Sequence, residues 1–233
     1  MDKLFLKQIK SELLENGIVK IPKFILKKEL ILIQSDLMSE LKRLNIYANN
    51  KIVSKDFKKM APFQQVVSLS KLIRKPQLLQ KYISVFNGIL VGLFDSDFDF
   101  DIEPQLLLTL PQQENWTLND LKWHVDSFSD LLNSLQFFLL IDDVKSHGGG
   151  TLILKGSHVL KNRYSLTQLN HFLSTKTLDE VFEIENKKLL LNEIVGSAGD
   201  VYLMDMRVLH SPSINASNKI RMMATYRFHK RDY

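Results

Sequence analysis

The sequence predicts a mainly β fold, an antiparallel sandwich or barrel, with α-helices that flank it. From Pro104 onward, short apolar runs alternate with turn residues, a pattern typical of antiparallel all-β architectures. The N-terminal third instead carries apolar residues at helical spacing. No repeat, low-complexity tract or linker rich in Pro, Gly or Ser separates the two parts. We therefore expect one domain over residues 1–233, with the helices packed on the sheet.

Residues 1–103 are expected to be mostly helical. Residues 4–14 have the spacing of an amphipathic helix, which Gly17 is expected to end. Residues 18–22 predict a short strand followed by a turn, and residues 27–44 predict a second helix.

Three further segments complete this N-terminal part. Residues 45–60 are polar and basic, and we predict a loop there. Helical spacing resumes over residues 63–89 and is broken near Pro76, because proline disrupts a helix interior. Residues 95–103 form an acidic, aromatic connection to the β part.

The β core is predicted to span residues 104–233. Its strands are expected near residues 105–110, 121–126, 134–142, 151–155, 200–204 and 220–228. Residues 160–193 have mixed polar and apolar sequence with room for one helix over Leu166–Leu173. We predict that this interval is an insertion between strands.

Composition excludes several classes of protein and site. An apolar fraction of 45% and a charged fraction of 24% over 233 residues are typical of a globular domain rather than a disordered or fibrous chain. The absence of cysteine excludes disulfides, thiolate metal sites and cysteine nucleophiles. The 31 basic and 26 acidic residues leave a net charge of +5, which permits an anionic small molecule or weak nucleic-acid contact and demonstrates neither.

Hydropathy argues against a membrane protein. The longest clean apolar run, residues 137–141, is far shorter than the roughly 20 residues that cross a bilayer. Residues 1–10 alternate charged and apolar side chains and do not resemble a signal peptide. We therefore expect a cytoplasmic protein without a membrane partner.

A metal site is predicted from two short segments. His124 and Asp126 lie at the end of a predicted strand, where side chains two residues apart face the same side. A second predicted strand, residues 200–204, leads within a few residues to His210. Two histidines and one carboxylate with open positions form the facial triad of non-haem Fe(II) oxygenases, whereas zinc favours closed tetrahedral sites. His124, Asp126 and His210 supply that ligand set.

An acidic cosubstrate would also need a cationic partner. A guanidinium binds a carboxylate through two parallel hydrogen bonds, which no other side chain does. Arg221 follows His210 by eleven residues and lies on the next predicted strand. We predict that it anchors this carboxylate.

At this point the chain resembles the phytanoyl-CoA dioxygenase-like family of Fe(II)/2-oxoglutarate oxygenases. The matching segments, in chain order, are LENGIVKIP (14–22), the His124–Asp126 pair, FLLIDDV (138–144), GGTLILKGSH (149–158), GD (199–200) and the stretch from His210 to Arg221. They cover nearly the whole chain in the order of the family. Lys155 stands where the family usually has proline, and Pro212 stands where some members have a serine that helps to bind the oxoacid.

The resemblance implies a double-stranded β-helix, the cupin-like jelly roll, that holds Fe(II). With O2 and 2-oxoglutarate, this site would hydroxylate an unactivated C–H bond of a small metabolite and release succinate and CO2. It implies that Arg221 binds 2-oxoglutarate, with Ser213 and Thr109 as further contacts, and that no catalytic residue exists beyond the metal ligands. Asp126 favours hydroxylation over halogenation, because related halogenases have a small residue at that position. We expect an anionic or amino-acid-like substrate.

Two other functions remain open. Arg221 and Arg227 lie six residues apart, and a similar pair occurs in nucleic-acid demethylases of the AlkB type. The spacing of eleven residues between His210 and Arg221 is that of the phytanoyl-CoA dioxygenase-like group, and we therefore expect no nucleic-acid partner. The second alternative is a non-catalytic binding module on the same fold. Iron-dependent formation of succinate would distinguish the enzyme from the module.

Overall fold

The protein, described from a computed structural model, is defined over residues 2–49, 51–112, 115–161 and 164–231. The α-helices in these ranges are α1 (Lys3–Asn16), α2 (Lys27–Arg43), α3 (Lys55–Lys59), α4 (Pro62–Leu72), α5 (Lys81–Phe94) and α6 (Leu166–Leu173). Two short 3-10 helices cover Gln77–Leu79 and Ser157–Val159. The strands are β1 (Ile18–Ile21), β2 (Tyr47–Ala48), β3 (Lys51–Ile52), β4 (Phe98–Phe100), β5 (Gln105–Thr109), β6 (Ser134–Leu140), β7 (Leu152–Lys155), β8 (Val181–Ile184), β9 (Lys187–Glu193), β10 (Val201–Asp205), β11 (His210–Ser211) and β12 (Arg221–Lys230).

Two antiparallel sheets make up the β part. The larger sheet has the order β1-β10-β6-β12, and β4 and β5 pair with successive parts of the long strand β12. The smaller sheet has the order β11-β7-β9-β8. The strands do not close into a continuous barrel in the part of the chain that the structure describes. This arrangement confirms the predicted mainly β fold with flanking helices.

Strand β6 shows how the larger sheet supports two layers. Phe137 and Leu139 face the N-terminal helices and belong to the largest apolar cluster. Phe138 and Leu140 alternate to the other face and pack with Ile153 of β7 between the two sheets. Because both faces are covered, every residue of β6 is buried. The shared core of helices and sheet supports the prediction of one domain over residues 1–233, which stays a prediction.

A third apolar layer covers the outer face of the smaller sheet. Leu152 and Leu154 of β7 pack there with Leu169 and Leu173 of α6. Trp123 joins the same cluster and is 4% exposed. The segment that carries the predicted His-x-Asp pair is therefore held against the smaller sheet by its tryptophan.

The helix predictions agree with the structure. Residues 4–14 and 27–44 correspond to α1 and α2, and residues 63–89 correspond to α4 and α5. The predicted break near Pro76 is a 3-10 turn between those two helices. Within the described ranges, every helix is too short or too polar to cross a bilayer.

The loop predicted over residues 45–60 is wrong. This segment contains the β2–β3 hairpin and the short helix α3. The Ser54 Oγ accepts a hydrogen bond from the Phe57 N–H at 3.4 Å and caps α3. A helix of 5 residues has too few apolar positions to show a helical period, and so periodicity did not reveal it.

The predicted strand over residues 121–126 is also wrong. The structure has only an isolated bridge there, in which His124 and His210 are antiparallel partners. The N–H groups of Asp126 and Ser127 both donate to the Met206 carbonyl, which ends the pairing after one bridge. The remaining predicted strands are present as β5, β6, β7, β10 and β12.

The interval 160–193 is only partly an insertion. It contains the predicted helix α6, but it also contributes β8 and β9 to the smaller sheet. Strand β9 pairs with β7 from Glu193 to Leu190 and is a central strand. The prediction that the whole interval lies between core strands is therefore wrong. Residues 95–103 likewise contribute the short strand β4.

Gly17 joins α1 to the sheet in a backbone conformation that suits glycine. Its φ is +75°, and its N–H donates to the Leu13 carbonyl at 2.8 Å. A Cβ on this residue would lie 2.5 Å from Val208 Cγ2 and 2.6 Å from His158 Nδ1. The helix end is therefore packed directly against the connection that leads to His210.

We expect Gly17→Ala to destabilise the protein and Gly88→Ala to stabilise it. The first change forces alanine into a left-handed conformation, at a cost of about 1 to 2 kcal/mol, and adds a steric clash. Gly88 lies inside α5, and a Cβ there meets nothing within 4 Å. Alanine at that position should contribute about 0.5 to 1 kcal/mol. Chemical denaturation measures both changes, and an equal effect of the two substitutions would contradict this interpretation.

Candidate active site

Main-chain hydrogen bonds bring the three predicted metal ligands together. The His124 N–H donates to the His210 carbonyl, and the His210 N–H donates to the His124 carbonyl, both at 2.9 Å. The Asp126 N–H donates to the Met206 carbonyl at 2.9 Å. The segment from His124 to Asp126 is thereby fixed to the chain that connects β10 with β11.

The side chains of His124, Asp126 and His210 converge on one point. One ligand atom from each residue lies within 4.8 Å of the other two. Asp126 Oδ1 is 3.9 Å from His124 Nε2, and Asp126 Oδ2 is 3.6 Å from His210 Nε2. Two imidazoles and one carboxylate at these distances are the donor set of a facial-triad metal site.

Each imidazole also has a partner on its outer nitrogen. His124 Nδ1 lies 2.7 Å from the Lys122 carbonyl, and His210 Nδ1 lies 3.0 Å from the Val208 carbonyl. A proton on each Nδ1 leaves both Nε2 atoms free to bind a metal. Burial lowers the pKa of His210 to about 4, and the nearby His124 adds to this effect. His210 is therefore neutral at physiological pH, which is the form that binds metal.

A cavity of about 540 Å³ opens beside the triad. Three residues of α4, namely Phe63, Val66 and Val67, line it on one side. Other lining residues come from strands of the larger sheet, namely Gln105, Leu107, Gln136, Phe138 and Thr225, and Thr151 lines the cavity from just before β7. The cavity is thus apolar along the helix and partly polar along the larger sheet.

Arg221 lies deep behind this cavity. It is 3% exposed, and its Nε and Nη1 donate at 2.7 Å to the carbonyls of Gly149 and Leu107. Leu107 lines the cavity, whereas Arg221 does not belong to its lining. Burial lowers the pKa of Arg221 to about 10, and the negative charge of Glu193 opposes this shift.

The charge of Arg221 lacks a close counter-ion. Among the described residues, no carboxylate oxygen lies within 4.0 Å of its guanidinium nitrogens. Glu193 is also buried, but its two oxygens accept hydrogen bonds from the N–H groups of His147 and Gly150. Burial raises the pKa of Glu193 to about 7. Buried charges are normally paired, so Arg221 has capacity for an anionic ligand.

The other two predicted cosubstrate contacts differ from each other. Thr109 is the strand partner of Arg221, and its buried Oγ1 has no hydrogen-bond partner among the described residues. Ser213 is fully buried, and its Oγ donates to the Gly150 carbonyl at 2.7 Å. Thr109 therefore has an unused hydroxyl beside Arg221, whereas the hydroxyl proton of Ser213 is committed to the main chain.

Two residues of this site were not among the predicted site residues: Thr225 was not singled out from the sequence, and Arg227 was considered only as the second arginine of the AlkB-like pair. Arg227 lines the cavity and lies against Asp126, and Thr225 lines it with a buried hydroxyl that lacks a partner among the described residues. Both lie an even number of residues from Arg221 on β12 and therefore share a face of the strand with it, which the strand period predicts. Their position beside the metal ligands depends on strand pairing.

Comparison with known proteins places the chain in a family. The model of the phytanoyl-CoA dioxygenase (PhyH) family matches residues 15–223, which is most of the chain. The chain belongs to the phytanoyl-CoA dioxygenase family. It is therefore an enzyme of the non-haem Fe(II)/2-oxoglutarate-dependent oxygenases, with Fe(II), 2-oxoglutarate and O2 as the cofactor and cosubstrates. No curated protein sequence matches it.

Solved structures of this family's fold resemble the whole chain. The carbocyclase SnoK from nogalamycin biosynthesis is 16% identical, with a TM-score of 0.62 over 97% of this chain and 84% of SnoK. The epimerase SnoN, solved with Fe3+, alpha-ketoglutarate and nogalamycin RO, is 15% identical, with a TM-score of 0.63 over 98% of this chain and 84% of SnoN. AviO1 from Streptomyces viridochromogenes Tue57 is 13% identical, with a TM-score of 0.57 over 96% of this chain and 94% of AviO1. These likenesses confirm the predicted jelly roll.

Proposed function

We propose that this oxygenase hydroxylates an unactivated C–H bond of a small metabolite, with His124, Asp126 and His210 as the ligands of Fe(II). The observation that carries the proposal is the convergence of these side chains within 4.8 Å beside a cavity of about 540 Å³. Bound there, Fe(II) would supply O2-dependent oxidation coupled to conversion of 2-oxoglutarate into succinate and CO2. The presence of a carboxylate at position 126 supports hydroxylation over halogenation.

We further propose that Arg221 holds 2-oxoglutarate through its distal carboxylate. The support is a buried guanidinium and a neighbouring Thr109 hydroxyl that have, respectively, no close counter-ion and no hydrogen-bond partner within the described part of the chain. Hydrogen bonds to Gly149 and Leu107 use two of the five guanidinium N–H donors. Ser213 is adjacent to this region, but its hydroxyl proton is donated to the Gly150 carbonyl. Because 2-oxoglutarate offers only acceptor oxygens, Ser213 would have to give up that bond to contact it.

The cavity supports a small substrate with both apolar and negatively charged parts. Phe63, Val66 and Val67 offer an apolar wall, and Lys122 and Arg227 are the basic side chains of the lining. The nogalamycin enzymes SnoK and SnoN share the fold and act in the biosynthesis of a small natural product. We propose an anionic or amino-acid-like metabolite as the substrate and the cytoplasm as its location, and we expect no nucleic-acid partner.

Release of succinate tests this function directly. We expect the Fe(II)-loaded protein to convert 2-oxoglutarate to succinate slowly alone and faster when a metabolite panel includes the substrate. Omission of Fe(II) and the His210→Ala variant are the controls, and both should abolish the signal. Succinate formation that does not depend on iron, or no succinate formation with any metabolite of the panel, would contradict the proposed turnover. Mass spectrometry of the stimulating metabolite should show a gain of one oxygen atom.

A further inference from the structure

Arg227 contacts the carboxylate of the candidate metal site from the larger sheet. Its Nη2 lies 3.3 Å from Asp126 Oδ2. Its Nε donates to Gln136 Oε1 at 3.0 Å. Gln136 is the antiparallel partner of Arg227 on β6 and is 2% exposed. The guanidinium is therefore held from behind by a buried amide and faces the carboxylate in front.

This contact completes a pattern at the triad. The outer nitrogen of each histidine already has a main-chain carbonyl as a partner. Arg227 is the corresponding partner of Asp126, whose own main-chain N–H is bonded to Met206. Outer hydrogen bonds of this kind orient metal ligands in proteins.

The carboxylate needs such a partner more than the imidazoles do. The terminal torsion of an aspartate is broad and roughly two-fold, so the side chain itself does not select which oxygen faces the histidines. Oδ1 is the oxygen near His124, and Oδ2 is the oxygen near His210 and Arg227. A charge-assisted hydrogen bond to Oδ2 therefore fixes the rotation of the carboxylate.

We propose that Arg227 is a positioning residue that orients Asp126 for metal binding, with Gln136 holding the guanidinium in place. This inference rests on the proposed metal site. It predicts the direction in which metal affinity changes when Arg227 is removed, because a nearby cation also repels a divalent metal ion. If Arg227 acted only through its charge, its loss would tighten metal binding. If it positions Asp126, its loss weakens metal binding.

The test is titration of the metal-free protein with Co(II), followed by the visible absorbance of the bound ion. We expect Arg227→Met, which keeps an apolar stem but removes the donors, to weaken Co(II) binding by about 10- to 100-fold. Arg227→Lys should recover part of the loss. Gln136→Met should shift the affinity in the same direction by a smaller factor, because the guanidinium remains but is no longer held.

Lys122→Met is the matched control, since it removes another cation from the lining of the same cavity. It should leave Co(II) affinity unchanged or slightly increased. Thermal unfolding of each metal-free variant shows whether the fold is intact. Unchanged or tighter Co(II) binding in Arg227→Met overturns the positioning role. If His210→Ala also binds Co(II) like the unaltered protein, the metal site itself is wrong, which distinguishes the two failures.

Discussion

Replacement of His210 by alanine is expected to abolish Fe(II) binding and all turnover of 2-oxoglutarate. The change removes one of the three protein ligands, and the remaining His124 and Asp126 leave a two-ligand site. Loss of an outer partner costs about 10- to 100-fold in metal affinity, so loss of a ligand should exceed about 100-fold. Anaerobic equilibrium dialysis against Fe(II), with iron measured in both chambers, gives the affinity directly.

Two further variants control this experiment. His124→Ala should have the same effect on Fe(II) with less risk to folding, because the His124 side chain is 38% exposed whereas that of His210 is 6% exposed. His171→Ala changes an exposed histidine on α6 and should bind Fe(II) normally. Full Fe(II) affinity in both His124→Ala and His210→Ala would place the metal elsewhere.

The clustering of the three candidate ligands was predictable from the sequence because it depends on local geometry. His124 and Asp126 are two residues apart, and His210 follows a strongly apolar strand by a few residues. Their convergence needs only that two neighbouring segments run antiparallel, as the paired hydrogen bonds between His124 and His210 show. The segment was predicted as a full strand, yet a single bridge was sufficient to align the candidate ligands.

Features that depend on long-range pairing were not predictable in this way. Arg227 meets Asp126 across a sequence separation of 101 residues, and its direction depends on its register opposite Gln136. Strand β9 was missed because Lys187 and Lys188 open it with two charged, exposed residues, although its later residues are buried alternately. One sequence contains no direct information on which distant strand a residue faces.

The depth of Arg221 is the second feature that only the structure shows. Spacing after His210 indicated an arginine on the next strand, and the structure places it at 3% exposure with two main-chain carbonyls as partners. This burial increases the energetic value of an anionic partner, because a desolvated cation whose nearest described carboxylate makes no direct contact with it is unfavourable. It also means that the arginine supports the fold, and a test of its role must separate the two effects.

Arg221→Ala is expected to weaken 2-oxoglutarate binding at least tenfold and to leave Fe(II) bound. A charge-assisted hydrogen bond contributes roughly 1.5 to 3 kcal/mol, and a tenfold change in affinity corresponds to about 1.4 kcal/mol. No metal ligand is altered, so Fe(II) affinity should not change. Arg221→Lys should recover only part of the loss, because an ammonium keeps the charge but lacks the two parallel donors.

The measurement is anaerobic titration of the Fe(II) protein with 2-oxoglutarate, followed by the metal-to-ligand charge-transfer absorbance. Arg221→Ala also leaves the carbonyls of Gly149 and Leu107 without their donors, so thermal unfolding of each variant must accompany the titration. Lys122→Ala removes a cation that lines the cavity and should bind 2-oxoglutarate normally. A folded Arg221→Ala variant with unchanged affinity would exclude Arg221 as the anchor. A loss confined to Lys122→Ala would instead identify Lys122 as the cation that binds the distal carboxylate, because neither Arg221→Ala nor Lys122→Ala alters a candidate metal ligand or a side chain in contact with one.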